Sequence, residues 1–526
     1  MKKKEEQTLK NNRIKKILIL IALFLLAVMG YFLFPKQPVP EIKNFTQVNR
    51  SPKIFPDYSV IVIPFNLAPI NFMVKEPGEQ FLVRISAHKG KEIKLFQRNP
   101  EIGIPADAWK QMLSDNLNDS ICLDIYVQQK GNWQRFKSIK NWISSDKIDP
   151  YIFYRDIVPS NSYWNQMSMH QRDLESFKET EIINNYRTDH NCVNCHTFNQ
   201  NNPDQMLFHI RGKHSGTVFY NKGKLTKINL KTLKTLSAGA YCSWHPSGKI
   251  VAFAVNKIKQ NYYLSGFDHK MKEVFDLASD IVLYNIEANT VYNFPQIASG
   301  DRENLPCWSP DGKYLYYTKT KKYVVDMPNE ENLYSLMRVS YNLQNNTMGE
   351  PETLISGEDI KKSIAFPTIS PDGRYLFFCM VDFGYFPINN KTSDLYLMDL
   401  QTMKYYKPDI NSEESESYIS WSANSRWFVF SSRRLDGMIS KPFLCHIDSI
   451  GNLSNPFILP QEDPLFYTID HRNFARPELM KARFKLNFED LKGVIFSEAI
   501  DALDDPATKA SSVVQPNDRT VNENGN

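Results

Sequence analysis

The chain has 526 residues, of which 63 are Lys or Arg and 58 are Asp or Glu, for a net charge of +5. Seven of the basic and two of the acidic residues fall between Met1 and Lys16, which leaves 56 of each sign in a neutral remainder. A neutral folded part offers no electrostatic footprint for nucleic acid, and a content of 42% apolar and 13% aromatic residues excludes disorder as the main state.

Residues 1–16 read as a basic tag, and Ile17 to Phe34 then runs without a charge. As a helix rising about 1.5 Å per residue, that run would extend roughly 27 Å, close to the apolar thickness of a bilayer. A cleaved secretory signal is the alternative reading. Met29–Lys36 contains no A-x-A-like cleavage site, which favours an uncleaved transmembrane anchor. The basic cluster lies on the N-terminal flank, so the positive-inside rule expects a cytoplasmic N-terminus, a single pass through the inner membrane and a periplasmic bulk. Residues 35–56, with Pro35, Pro38, Pro40, Pro52 and Pro56, read as an extended stalk.

From 57 to 160 the pattern predicts a small β-sandwich-like domain, with strands over Ser59–Pro64, Gln80–Ala87, Glu92–Gln97, Ile121–Gln128 and Trp133–Lys137. A short helix is expected at Ala106–Leu113. Residues 161–202 are expected to form a helical segment, because Trp164, Met167, Leu174 and Phe177 are spaced for one helix face.

That segment ends in Cys192-Val193-Asn194-Cys195-His196, the C-x-x-C-H signature of covalent haem c. Two thiols at this spacing can add to the two vinyl groups of one porphyrin, and the adjacent imidazole can ligate the iron as the proximal ligand. Three other readings stay open. They are a zinc site completed by single histidines, a structural disulfide, and a thioredoxin-like redox pair. The remaining five cysteines fall on or beside predicted strands, so the sequence supports one haem at most. The candidate distal ligands are His209, Met206 and His245, with His214 a further possibility. A His/His pair would give the iron a lower potential than His/Met.

Residues 203–480 contain an internal repeat. Its copies are Cys307-Trp308-Ser309-Pro310-Asp311-Gly312-Lys313, Thr368-Ile369-Ser370-Pro371-Asp372-Gly373-Arg374, Ser243-Trp244-His245-Pro246-Ser247-Gly248-Lys249 and Ser420-Trp421-Ser422-Ala423-Asn424-Ser425-Arg426. Each reads as a strand, a tight turn with Gly or Ser at its last position, and a returning strand. These units resemble the repeats of TolB-type β-propellers. The resemblance implies five or six four-stranded blades, with six the expected number. The fold class expected is therefore mainly β. A transmembrane helix leads into the β-sandwich-like domain, a short helical haem-attachment segment and a TolB-like β-propeller, and 481–526 form a C-terminal helix (Phe488–Leu503) and a disordered tail.

The combination of anchor, lone C-x-x-C-H and propeller also resembles a group of Gram-negative envelope proteins, through Asn194-Cys195-His196-Thr197-Phe198, Phe208-His209-Ile210-Arg211-Gly212 and Trp244-His245-Pro246-Ser247-Gly248. The resulting expectation is a membrane-anchored periplasmic monohaem protein that transfers electrons or senses redox state, with the propeller docking a periplasmic protein. The alternatives are a non-catalytic interaction scaffold without haem and a haem-dependent oxidoreductase. No catalytic residue is assigned, since the chain has no G-x-S-x-G elbow and too short a tail for the hydrolase domain that accompanies some propellers.

Overall fold

The computed structural model describes residues 19–20, 39–158, 166–262, 272–325 and 327–507. The basic tag, the anchor apart from Ile19 and Leu20, and residues 508–526 lie outside this set. Among the described residues no helix is long and apolar enough to cross a membrane.

Six antiparallel units of four strands follow one another along the chain. Blade 1 joins Tyr151–Ile157, Met167–Asp173 and Glu179–Asn184 to Asn473–Met480 from the far end of the chain. Blade 2 comprises Cys192–Asn199, Asn202–Arg211, Gly216–Asn221 and Lys224–Asn229. Blade 3 begins at Ala240–Trp244, blade 4 at Arg302–Trp308, blade 5 at Ser363–Ile369 and blade 6 at Glu416–Trp421. The first strands of blades 2–6 and Asn473–Met480 of blade 1 all contribute to the wall of one cavity. Four-stranded sheets with their first strands around a common channel are the arrangement of a β-propeller.

Apolar side chains fill the gaps between neighbouring blades. Phe153, Met169, Phe198, Met206 and Phe208 pack together between blades 1 and 2, and Leu207, Phe219, Trp244 and Phe253 between blades 2 and 3. The repeat turns form as the sequence predicts. In Ser309-Pro310-Asp311-Gly312 the Ser309 hydroxyl donates to Asp311 at 2.6 Å, and Gly312 takes φ +73°. Ser370-Pro371-Asp372-Gly373 repeats this arrangement. The repeat tryptophans tie blades together, with Trp244 Nε1 donating to Thr197 O and Trp421 Nε1 to Thr368 O.

Four expectations need correction. The described part of the stretch read as a helix, residues 166–202, is two strands of blade 1, a short turn at Asn185–Thr188 and the first strand of blade 2, and Met167, Met169, Ile182 and Ile183 face the gap between those blades. Helical spacing put Met167 and Leu174 on one face, but Met167 packs in that gap and Leu174 in the core shared with the N-terminal domain. The ring of blades therefore starts at residue 151, not 203. The stalk is shorter than expected, since Thr46–Gln47 and Ile54–Phe55 already belong to sheets of the N-terminal domain. The terminal helix stops at Phe496, and Ile500–Asp501 and Leu503–Asp504 add short parallel strands to the outer edges of blades 2 and 3.

The N-terminal domain is a seven-stranded sheet and a three-stranded sheet, with a helix at Ala106–Asp115 that buries Trp109, Met112 and Leu113. Its core runs without a break into that of blades 5, 6 and 1. The segment after it grips blade 6 through polar contacts. Trp427 Nε1 donates to Asp146 O at 2.8 Å, Asp149 N to Ser422 Oγ at 3.1 Å, and Asn424 Nδ2 to Lys147 O at 2.7 Å. A fragment limited to 203–480 would lack three strands of blade 1 and the motif strand of blade 2. It is expected to show no cooperative unfolding in a urea titration followed by tryptophan fluorescence, whereas 39–507 unfolds in one transition.

Candidate functional site

Each innermost strand of the ring has one residue more than its neighbour can pair. In blade 2, Asn194 faces His209 and Thr197 faces Leu207, so three steps on one strand match two on the other. The same break occurs between Ala240 and Ser243, Asn304 and Cys307, Ala365 and Thr368, and Ser417 and Ser420. It also occurs opposite Phe153 and Arg155 in blade 1. The residue inside each bulge has positive φ: Cys195 (49°), Tyr241 (42°), Leu305 (52°), Phe366 (49°), Tyr418 (51°) and Arg476 (50°). Bulges re-aim side chains, and these six positions recur once per blade. Tyr241, Leu305, Phe366, Tyr418 and Arg476 all line the cavity. Phe366 touches Tyr418 at 4.8 Å and Tyr241 at 6.0 Å between ring centroids, which makes an aromatic constriction in the channel.

On the turn side of that constriction lies a cavity of about 340 Å³. Thr197, Ser243, Cys307, Thr368, Ser420 and Glu478, each two residues past its bulge, form one ring of its wall. Gln200, Asn201 and Lys481 also line it. Glu478 accepts from Phe198 N at 3.1 Å and Thr197 Oγ1 at 3.3 Å, and it faces Arg476 Nε at 3.3 Å. Burial raises its carboxyl to a pKa of about 7, outweighing the opposing pull of Arg476 and the two hydrogen bonds.

The C-x-x-C-H motif runs along the innermost strand of blade 2 and holds the bulge within it. Cys192 is buried in the apolar cluster between blades 1 and 2. Cys195 is the bulge residue of blade 2, at the position that in the other five blades lines the channel. The two sulfurs are not joined to each other. His196 is 1% exposed, with its ring 4.8 Å from Phe153 and 6.4 Å from Phe198, and its Nε2 has no hydrogen-bond partner. Burial holds the imidazole well below its usual pKa, and the charges of Arg476 and Arg155 act in the same direction.

The candidate distal ligands are dispersed. His209, paired across the sheet with Asn194, bonds Thr217 Oγ1 through Nδ1 at 2.8 Å. Its ring faces Phe253 of blade 3, and its Nε2 is buried without a partner. His196 faces blade 1 instead, so the two rings lie on opposite sides of the same sheet. Met206 is packed between blades 1 and 2. His245 is committed at both nitrogens, to Ser247 Oγ at 2.8 Å and to Gly312 O at 3.1 Å. A Cβ at position 312 would collide with the His245 ring, so the glycine of one repeat turn makes room for the histidine of the previous one. His214 bonds Asp189 at 2.8 Å.

A covalent porphyrin needs both sulfurs and the imidazole arranged around one open slot. The donor types fit that chemistry, but their placement does not. Cys192 lies in the interblade core, Cys195 at the bulge and His196 among phenylalanines, and none of the three lines the 340 Å³ cavity. The strand period accounts for this. Residues three apart on a strand point to opposite sides, whereas on a helix they share one face.

Sequence reasoning missed the bulge ring. Its residue types vary from blade to blade, and the one available signal was proline at Pro306, Pro367 and Pro477, which is tolerated inside a sheet at such irregularities.

No family model and no curated protein matches the chain. Among solved structures it is similar to a puromycin-hydrolysing peptidase of Mycobacterium tuberculosis, at 12% identity over 60% of this chain and 52% of that one, with a TM-score of 0.38. It is also similar to a chain of a nidogen/laminin complex (8% identity, 63% of this chain and 100% of that one, TM-score 0.36) and to the tricorn protease (13%, 62% and 32%, TM-score 0.32). The aligned region spans about half of the peptidase and a third of the tricorn chain.

The raised carboxyl of Glu478 gives a pH signature. A group whose folded pKa exceeds its unfolded value contributes most stability below the unfolded value and loses that contribution as pH rises through the folded one. Relative to Glu478→Gln, the wild type should therefore lose stability between pH 4.5 and about 7, the unfolded and folded values, in urea midpoints measured across that range.

Proposed function

We propose that this chain is a non-catalytic binding propeller of a bacterial envelope, tethered through residues 17–34, that docks its partner at the turn-side mouth of the channel. The observation that carries this reading is the cavity to which all six blades contribute, with Glu478, Arg476 and Lys481 supplying charge in a wall of mixed polar and apolar side chains. A concave site where a few charged and polar groups converge is a usual form of a binding site, and propellers enclose such a site on their central channel. The TolB-like character of the repeat supports a docking role by resemblance alone. A photoreactive residue introduced at Lys481 should give a discrete adduct in cells of the source organism, while one at the exposed Lys404 on blade 5 should not. Equal labelling from both positions, or none from Lys481, would remove this reading.

A second reading, haem c on Cys192 and Cys195 with His196 on the iron, is favoured by one observation, the buried His196 Nε2 that lacks a partner. It requires the motif strand to leave the packing described above. The two readings separate in one measurement. Full-length protein produced together with a cytochrome c maturation apparatus is expected to show no Soret band and the mass of the bare polypeptide. A covalent haem signal that disappears in Cys192→Ala, Cys195→Ala would instead favour electron transfer.

A further inference from the structure

The hydrogen-bonding groups of the turn-side cavity are unevenly used. In three blades the wall residue two past the bulge accepts the backbone N–H of the following blade: Ser243 Oγ from Trp308 N at 3.1 Å, Ser420 Oγ from Leu479 N at 3.2 Å and Glu478 from Phe198 N at 3.1 Å. Among the described residues neither serine donates to a protein group, so each keeps its hydroxyl hydrogen for the cavity it lines. Both oxygens of Glu478 are occupied within the wall, one by Phe198 N and Thr197 Oγ1 and the other by Arg476. Arg476 and Lys481 are the two cations of the wall against this one carboxyl. Among the described residues Lys481 has no carboxylate within salt-bridge distance.

Direct contacts gather the open groups into two sets. Arg476 Nη2 donates to Cys242 O of blade 3 at 3.3 Å, which brings the guanidinium to the backbone next to Ser243. Arg476 Nη1 bonds no protein group among the described residues, and the side chain is 26% exposed. The second set lies at Leu479, whose N–H goes to Ser420 and whose carbonyl accepts from Asn201 Nδ2 at 2.7 Å. The same Nδ2 also donates to Trp421 O, and Asn201 Oδ1 accepts from no protein group among the described residues. A hydroxyl donor and an amide acceptor side by side match the C=O and N–H of one peptide unit. The cavity narrows inward at Tyr241, Phe366 and Tyr418. Its 340 Å³ is near the lower end of the roughly 300–1,000 Å³ usual for ligand sites, room for the last residues of a chain and not for a folded surface.

We infer that the docked partner inserts its C-terminus into this cavity, with the terminal carboxylate on Arg476 and Ser243 and a peptide unit of the same chain end on Ser420 and Asn201. Of the two ends of a polypeptide only the carboxylate complements a wall with surplus positive charge, since the one carboxyl that could hold an ammonium group is already occupied. The exposed Lys481 adds attraction for the incoming chain end. The inference rests on the docking reading above and names the part of the partner that the cavity takes. An adduct from Lys481 with no preference for peptide acids over amides would leave the docking reading standing and remove this one.

Full-length protein in detergent is incubated with N-acetylated tripeptides of mixed sequence, once as free C-terminal acids and once as C-terminal amides, with sodium acetate as a third probe. The acids should raise the thermal unfolding midpoint, and the amides and acetate at equal concentration should not. The acid retained most strongly by the protein, identified by mass spectrometry, is then titrated by calorimetry. Arg476→Gln should weaken its binding about tenfold or more, the expected loss for one charge-assisted bond, and Ser243→Ala and Ser420→Ala should each weaken it by less. Glu478→Gln removes the carboxylate that Arg476 now faces and should bind the acid at least as tightly as wild type. A merely structural role for the Arg476–Glu478 pair would make both variants weaker. Arg476→Lys keeps the charge but not the fork, and should bind with intermediate affinity even if Arg476→Gln fails to fold. Acids and amides that act alike, acetate that matches the acids, or Arg476 and serine variants that bind as the wild type does would overturn the inference.

Discussion

A propeller needs each innermost strand to curve along the channel wall while its sheet stays paired outward, and here a single extra residue per blade permits that curvature. The bulge puts one residue of each inner strand into left-handed backbone and turns its side chain out of the interblade core. Six such turns define what the channel contains: one thiol, two phenols, two apolar side chains and a guanidinium. The Phe366–Tyr418 and Tyr241–Phe366 contacts that narrow it exist only because those residues are the unpaired members of their strands. The turn-side cavity lies on one side of that narrowing.

Closure of the ring is the second constraint. Blade 1 takes its innermost strand from Asn473–Met480 and its other three from residues 151–184, so the termini of the ring meet in one sheet. The junction is fastened by buried polar groups. Arg472 bonds Asp156 at 2.7 Å and Asp470 at 2.6 Å, and Lys441 bonds Asp470 at 2.8 Å. His170 stands 2.8 Å from Glu179, whose carboxyl stays near pKa 2 although burial pushes it up, because His170 and Tyr154 bond to it. Asp156, His170 and Glu179 bring possible ligand atoms within 4.8 Å of one another. The cations already beside them meet the same need that a metal ion would. Because Arg476 and Glu478 lie on the closing strand, the sheet that completes the ring also supplies the charged groups of the cavity.

Much of the architecture was legible in the residues. Ser-Pro-Asp-Gly and its variants marked the first hairpin of blades 3–6, since proline and glycine fix backbone angles that few other residues supply. The strand over Gln80–Ala87 and the helix beginning at Ala106 followed from periodicity. Blades 1 and 2 were harder to see, because neither carries the proline turn and blade 1 is assembled from segments nearly 300 residues apart. The candidate site was legible only in its chemistry. Cys195 and His196 do stand at a special place, but it is a bulged strand rather than a helical segment, and Arg476 and Glu478 carried no local signal.

By itself the sequence determined the repeat, the mainly β character and the charge asymmetry of the N-terminal end, because these depend on residues close together in the chain. The tertiary structure decided that the C-x-x-C-H motif is extended and so presents Cys192 and Cys195 to different surroundings. It also decided that six unlike residues share one ring around the channel. Those are consequences of closing the sheets around an axis, which brings together positions whose separation along the chain carries no information about their distance in space.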